Sequence, residues 1–161
     1  HGIAVLSARE KISFEPVIES DCMNIAPAVL SLFEAGIDVH CLRDCTRGGI
    51  ASALNELAED SGLSFVIEEK DIPIRDEVRG ACEILGLNPL YVANEGRFIA
   101  FVNDKDVDIT LDVLKDLYPE FTPAKIGIVT EKQSASVILK NLAGLETALP
   151  MLSGEQLPRI C

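Results

Sequence analysis

The sequence contains no apolar stretch approaching the ~20 residues that cross a bilayer, so a membrane-spanning helix is excluded. It has no surplus of positive charge either. Fourteen Lys and Arg face 26 Asp and Glu, a formal net charge of −12, and a nucleic-acid backbone or an anionic membrane surface demands basic patches instead. Residues 1–20 lack the basic start, apolar middle and small-residue cleavage site of a secretory leader. There is no Cys-x-x-Cys pair, which excludes the usual thiol redox motif, and no Gly-rich dinucleotide loop. No internal repeat and no low-complexity segment is present. Five cysteines, an odd number without a leader, fit a reducing cytosol better than a disulfide framework. The chain opens on His1-Gly2-Ile3 rather than Met, and is expected to begin within a longer protein.

What is there reads as a folded domain. At 161 residues with 48% hydrophobic content, the chain can bury a real core. Ile3 to Leu6 reads as a short strand. Ile25, Val29, Leu32 and Phe33 fall at helical spacing, with Asn24 as cap, Pro27 in the first turn and Gly36 as the stop. Val39 to Leu42 reads as a strand, and Ile50, Leu54, Leu57 and Ala58 mark a helix ending at Ser61-Gly62. Leu63 to Glu68 alternates as a strand does. Val78, Ala81, Cys82 and Leu85 predict a helix stopped by Gly86. Leu90 to Ala93 and Phe98 to Val102 are apolar on both faces and read as central strands. Val107, Leu111, Leu114 and Leu117 predict a last helix, and Ala124 to Thr130 and Ala135 to Leu139 two closing strands. The pattern is α+β, a mixed sheet with helices packed against it, over residues 1–144. Residues 145–161 read as an extended, flexible tail, with two prolines, a glycine and no periodicity.

Four features could carry chemistry. Cys161 is a thiol at the end of that tail, and seventeen residues could carry it on the order of 50 Å. The alternative is a disordered end that happens to stop in cysteine. Arg43-Asp44-Cys45-Thr46-Arg47-Gly48-Gly49 stands at a strand-to-helix junction. Its glycines could bare backbone N–H groups to an anion, its arginines add charge, and Asp44 could hold a magnesium ion. The plainer reading is a turn capped by Thr46. Asn94-Glu95-Gly96-Arg97 interrupts two apolar runs, either as an ordinary turn or as a rigid mount for a general base. His40, Cys41 and Cys45 lack a second ligand pair, which argues against zinc. Cys22 and Cys82 read as small buried hydrophobes.

Together these motifs resemble the hydrogenase maturation factor HypE. The terminal Pro158-Arg159-Ile160-Cys161 is similar to that family's signature, and the Arg43–Gly49 run to its Arg-Asp-Pro-Thr-Arg-Gly-Gly. Ala93-Asn94-Glu95-Gly96-Arg97-Phe98, His40-Cys41-Leu42 and the opening His1-Gly2-Ile3-Ala4 match as well. Cys45 stands where the family has proline, so this turn lacks the ring that would fix its backbone. The resemblance implies the C-terminal domain shared with aminoimidazole ribonucleotide synthetase, selenophosphate synthetase and thiamine monophosphate kinase. It implies an N-terminal ATP-binding half that this chain lacks, and a homodimer for the whole protein. The implied activity is an ATP-dependent carbamoyl dehydratase serving [NiFe]-hydrogenase maturation in the cytoplasm. HypF would load a carbamoyl group on Cys161, ATP-dependent dehydration would turn it into S-cyanate, and its cyanide would pass to the iron through HypC–HypD. Glu95 would be the base, and Pro158, Arg159 and Ile160 would dock the tail. Arg43, Asp44, Thr46, Arg47, Gly48 and Gly49 would face ATP and Mg2+. Two rivals remain at this point: a docking module without catalysis, and another small-molecule kinase or synthetase of the same superfold.

Overall fold

Residues 1–134 and 136–152 are described in the computed structural model. Strand β1 (Val39–Asp44) pairs antiparallel with β3 (Phe98–Val102), from Val39 opposite Val102 to Asp44 opposite Phe98. A second, mixed sheet has the order β4 (Gly127–Thr130), β2 (Ser64–Glu68), β5 (Val137–Lys140), β6 (Glu146–Ala148). Within it β2 runs antiparallel to β4 and parallel to β5, and β6 runs antiparallel to β5. Helix α3 (Gly49–Ser61) packs its Ala51, Leu54 and Ala58 against Phe65 and Ile67 of β2 and Val137 and Leu139 of β5. Emptying one such position, Leu54 at 1% exposure, would cost roughly 2–5 kcal/mol. Helix α2 (Ala26–Glu34) has Pro27 in its first turn and the Asn24 side chain accepting from the Ala26 N–H at 3.0 Å. It packs against α5 (Val107–Leu117), while α4 (Asp76–Leu85) ends on left-handed Gly86, as its sequence predicts.

Three expectations need correction. Ile3 to Leu6 is helical, within α1 (Gly2–Glu10). A four-residue apolar run does not distinguish strand from helix, and here the His1 imidazole decides it by accepting from the Ile3 N–H at 3.1 Å, as an N-cap does. Leu90 to Ala93 is no strand. Pro89–Tyr91 forms a 3-10 turn, closed by the Asn88 carboxamide oxygen accepting from the Leu90 N–H at 2.9 Å. The run is apolar on both sides because it separates two clusters. Leu90 belongs to the main core, and Val92 to a smaller one with Ile3, Ile18, Val78, Ala81 and Cys82. Phe98–Val102 is a strand but not a central one. Ile99 is buried in the main core and Phe101 packs against it, while the whole strand from Phe98 to Val102 borders an open cleft.

The segment expected to hang free from Gly144 also begins otherwise. Glu146–Ala148 adds to the sheet as β6, and Leu149 is 5% exposed in the main core. The Leu149 N–H donates to Val137 at 2.9 Å, its carbonyl accepts from Asn55 Nδ2 at 2.9 Å, and the Tyr91 hydroxyl donates to the Pro150 carbonyl at 2.7 Å. A buried side-chain amide and a sheet ladder hold this stretch, and neither leaves a trace in hydrophobic periodicity.

Candidate functional site

The two polar motifs meet at one end of the β1–β3 ribbon. Asp44 stands opposite Phe98, and pairing continues past the strand ends. The Cys45 N–H donates to the Arg97 carbonyl at 3.3 Å, and the Asn94 N–H donates to the Cys45 carbonyl at 3.0 Å. Both backbone groups of Cys45 are thereby held, so the turn has its rigidity without the proline. The thiol itself is buried at 4% exposure and contributes to the main core. Burial pushes its pKa up to about 12, with Asp44 and Asp21 adding to the rise and Arg97 and Arg43 opposing it. A thiol in that state is neither nucleophile nor metal ligand near neutral pH. Cys82 is also buried and shifted upward by desolvation, whereas Cys22 is exposed and not the core residue expected.

Beyond Cys45 the chain enters α3 through two glycines in the left-handed region, Gly48 at φ 68° and Gly49 at φ 60°. A Cβ on Gly49 would stand 2.6 Å from the carbonyl oxygens of Leu90 and Val92, so only glycine allows the helix to start beneath that turn. Thr46 is not the cap. Its hydroxyl donates to the Asp44 carboxylate at 3.4 Å, and Gly48 is the N-cap residue with no side chain bonded to the helix amides. Arg43 is engaged by Glu56 of α3 at 2.5 Å, and Arg97 donates to the Pro73 carbonyl at 2.7 Å. Arg47 is exposed and makes no ion pair with a described residue. Among the described residues no group of three or more His, Cys, Asp or Glu is placed to hold a metal ion. Asp44 and Thr46 present one carboxylate and one hydroxyl side by side at the exposed end of the strand.

Glu95 is half-buried and its carboxylate makes no hydrogen bond or ion pair with a described residue. Its backbone N–H donates to Asp21 Oδ1 at 3.3 Å. The same oxygen meets the His1 nitrogen at 2.6 Å, while Asp21 Oδ2 is buried without a described partner. Asp21 lies in what the sequence marks only as a polar stretch, and no periodicity singles it out. His1, Asp21, Cys45, Asn94, Gly96 and Arg97 line the open cleft, about 1540 Å³ in volume; Asp44, Thr46, Arg47 and Glu95 do not. Apolar side chains of α3, β3, β4 and α5 contribute to the walls of that cleft. Cys161, Pro158, Arg159 and Ile160 lie outside the described residues.

Residues 1–140 match the family model of the AIR synthase related protein, C-terminal domain, and the chain belongs to that family. Within it, the likeness to HypE read from the motifs is borne out. The chain is 42% identical over its full length to carbamoyl dehydratase HypE of Azotobacter vinelandii, of which it covers 47%. It superposes on the structure of hydrogenase maturation protein HypE in complex with ATP with a TM-score of 0.92 and 37% identity, covering 100% of this chain and 49% of that one. On a HypE–HypF complex the TM-score is 0.86 at 32% identity, over 92% of this chain and 48% of the other. The chain thus spans about half the length of the relatives it matches.

Proposed function

We propose that this chain is the thiol-carrying half of an ATP-dependent carbamoyl dehydratase of hydrogenase maturation. One observation carries the reading. The two turns that resemble the family's motifs are tied to each other, main chain to main chain, through Cys45, so that Glu95 and Asp44 share one rigid edge. A relative named carbamoyl dehydratase and a neighbour bound to ATP support assigning ATP-dependent chemistry to that edge.

In this reading the Cys161 sulfur carries a carbamoyl group loaded by HypF. The amide oxygen attacks the γ-phosphate of ATP, ADP leaves, and the nitrogen gives up its first proton to water. Glu95 then takes the second nitrogen proton, the C–O bond to phosphate breaks, and the C≡N bond of an S-cyanate forms. An amide oxygen is a poor leaving group and phosphate a good one, which is why the nucleotide is consumed. Asp44 and Thr46 support the magnesium-bound phosphates, with Arg43 and Arg47 nearby. The N-terminus of α3 at Gly48 and Gly49 carries no side-chain cap and adds its dipole to that charge. Pro158, Arg159 and Ile160 seat the tail, and HypC–HypD receive the cyanide. A homodimer in the cytoplasm, with an ATP-binding half preceding this chain, completes the reading.

The test is intact-mass analysis of the complete protein carrying this chain. After loading with HypF, an adduct of one carbamoyl group should sit on Cys161 and lose one water only when ATP and Mg2+ are supplied. Water loss without ATP, or an adduct on Cys22 instead, would count against the reading.

A further inference from the structure

Glu95 is held by its backbone. Its carboxylate has no partner among the described residues, so the direction in which it is offered depends on what fixes the main chain beneath it. One restraint is main chain, the Asn94 N–H on the Cys45 carbonyl at 3.0 Å. Another comes from a side chain, Asp21, whose Oδ1 accepts from the Glu95 N–H at 3.3 Å. The third is steric. A Cβ on Gly96 would collide with the Asp21 carbonyl, and a 2.8 Å contact with Met23 Cγ closes the other side. The polar segment before α2 therefore lies directly against the Glu95–Gly96 peptide.

Asp21 itself is an uneconomical residue for a surface loop. Its side chain is 13% exposed, Oδ1 serves two donors, and Oδ2 is buried with none among the described residues. A carboxylate oxygen removed from water without a hydrogen bond is destabilising, and such a group persists where its position does something else. The other donor is the His1 nitrogen at 2.6 Å, and were the chain preceded by another residue, that nitrogen would be a peptide N–H, still a donor. The arrangement joins the start of α1, the segment before α2 and the Glu95 turn through a single oxygen.

We propose that Asp21 is a positioning residue for Glu95, setting the carboxylate's approach to the thiol-borne amide through the Glu95 N–H. The assignment rests on the reading of Glu95 as the base. A general base works only within hydrogen-bond reach of its proton, and a displacement of about 1 Å can cost on the order of 100-fold in rate.

The experiment measures single-turnover water loss from the Cys161 adduct in the complete protein, with saturating ATP. Asp21→Ala should slow it by about 10–100-fold, with the KM for ATP and the extent of loading unchanged. Asp21→Asn keeps an oxygen acceptor in place and should restore the rate to within about threefold of the parent. Asp21→Glu keeps the charge but moves the oxygens by one methylene, and should be slow like Asp21→Ala. Hydrogen exchange at the Glu95 amide should quicken in the alanine and glutamate variants and not in the asparagine one. A parent-like rate in Asp21→Ala, or in Asp21→Glu should the alanine variant not fold, overturns the assignment. So does an asparagine variant as slow as alanine. Glu95→Gln separates the two claims: if it loses water normally, the base reading and this one fall together. If it stalls while Asp21→Ala does not, only the Asp21 assignment falls.

Discussion

The N–H of Asn94 donates to the carbonyl of Cys45 at 3.0 Å, and the carbonyl of Arg97 takes the N–H of Cys45 in return at 3.3 Å. Two turns far apart in the chain are thereby one piece of backbone, and neither bond involves the Glu95 side chain. Replacing Glu95 by Gln should leave the fold intact and remove only the proton acceptor. In the complete protein the adduct, as carbamoyl or its O-phosphorylated form, should persist with ATP present, its conversion to S-cyanate slowed by about 100–10,000-fold. Intact mass against time reads the rate, and thermal melting should differ from the parent by no more than about 0.5 kcal/mol.

Gly49 and Gly36 offer a paired test of what the glycines are for. Both have positive φ, 60° and 72°, but a Cβ at Gly49 meets two carbonyl oxygens at 2.6 Å whereas one at Gly36 meets nothing within 4 Å. Gly36→Ala should cost only the conformational strain, about 1 kcal/mol. Gly49→Ala adds overpacking against Leu90 and Val92 and should cost about 2–4 kcal/mol. At roughly 2–4 °C per kcal/mol for a chain of this size, the two melting temperatures should separate clearly.

The thiols should sort by burial. With iodoacetamide near pH 8, Cys22 should be modified quickly, and Cys45 and Cys82 only after denaturant is added. Alkali extends the argument. Cys45 titrates at about 12 when folded against an ordinary 9.0, so between those values the unfolded chain has lost a proton that the folded chain keeps. The unfolded state then binds fewer protons, and stability falls as pH rises through that window. Burial shifts Cys82 and Tyr91 in the same direction, so denaturant midpoints should decline steadily above about pH 9.

Asn55 is the side chain whose loss should loosen β6. Its Nδ2 donates to Ala51 at 2.8 Å and to Leu149 at 2.9 Å, both inside the core. Asn55→Ala leaves the Leu149 carbonyl short of its side-chain donor and should cost about 1–3 kcal/mol. Leu149→Ala should cost about 2–5 kcal/mol. Denaturant unfolding of both single variants and of the double variant checks whether the two share one element: coupled losses smaller than their sum indicate that they do.

Much of this was legible in the sequence because the helices announce themselves. The spacing of Leu54 and Ala58, the glycine after Ser61 and the glycine after Leu85 are local signals, and the structure places α3 and α4 where they point. Apolar runs without periodicity were not legible. Ile3 to Leu6 became a helix through one imidazole cap, and Leu90 to Ala93 became a turn between two clusters, both decided by partners remote in sequence. The Asp44 and Glu95 motifs could be found by residue type, but not that Cys45 joins them. Asp21 gave no signal at all, since a buried carboxylate in a polar stretch is indistinguishable in one dimension from a solvated one.

Strand β6 and the Pro150 carbonyl, bonded to Tyr91 at 2.7 Å, also change the radius of action of the terminal sulfur. Measured from Gly144 the tether would be some 50 Å long, but measured from the point where the sheet lets go it contains only Met151 to Cys161. Eleven residues span at most about 40 Å. If Cys161 carries the group as proposed, every surface that receives it must come within about 40 Å of Pro150.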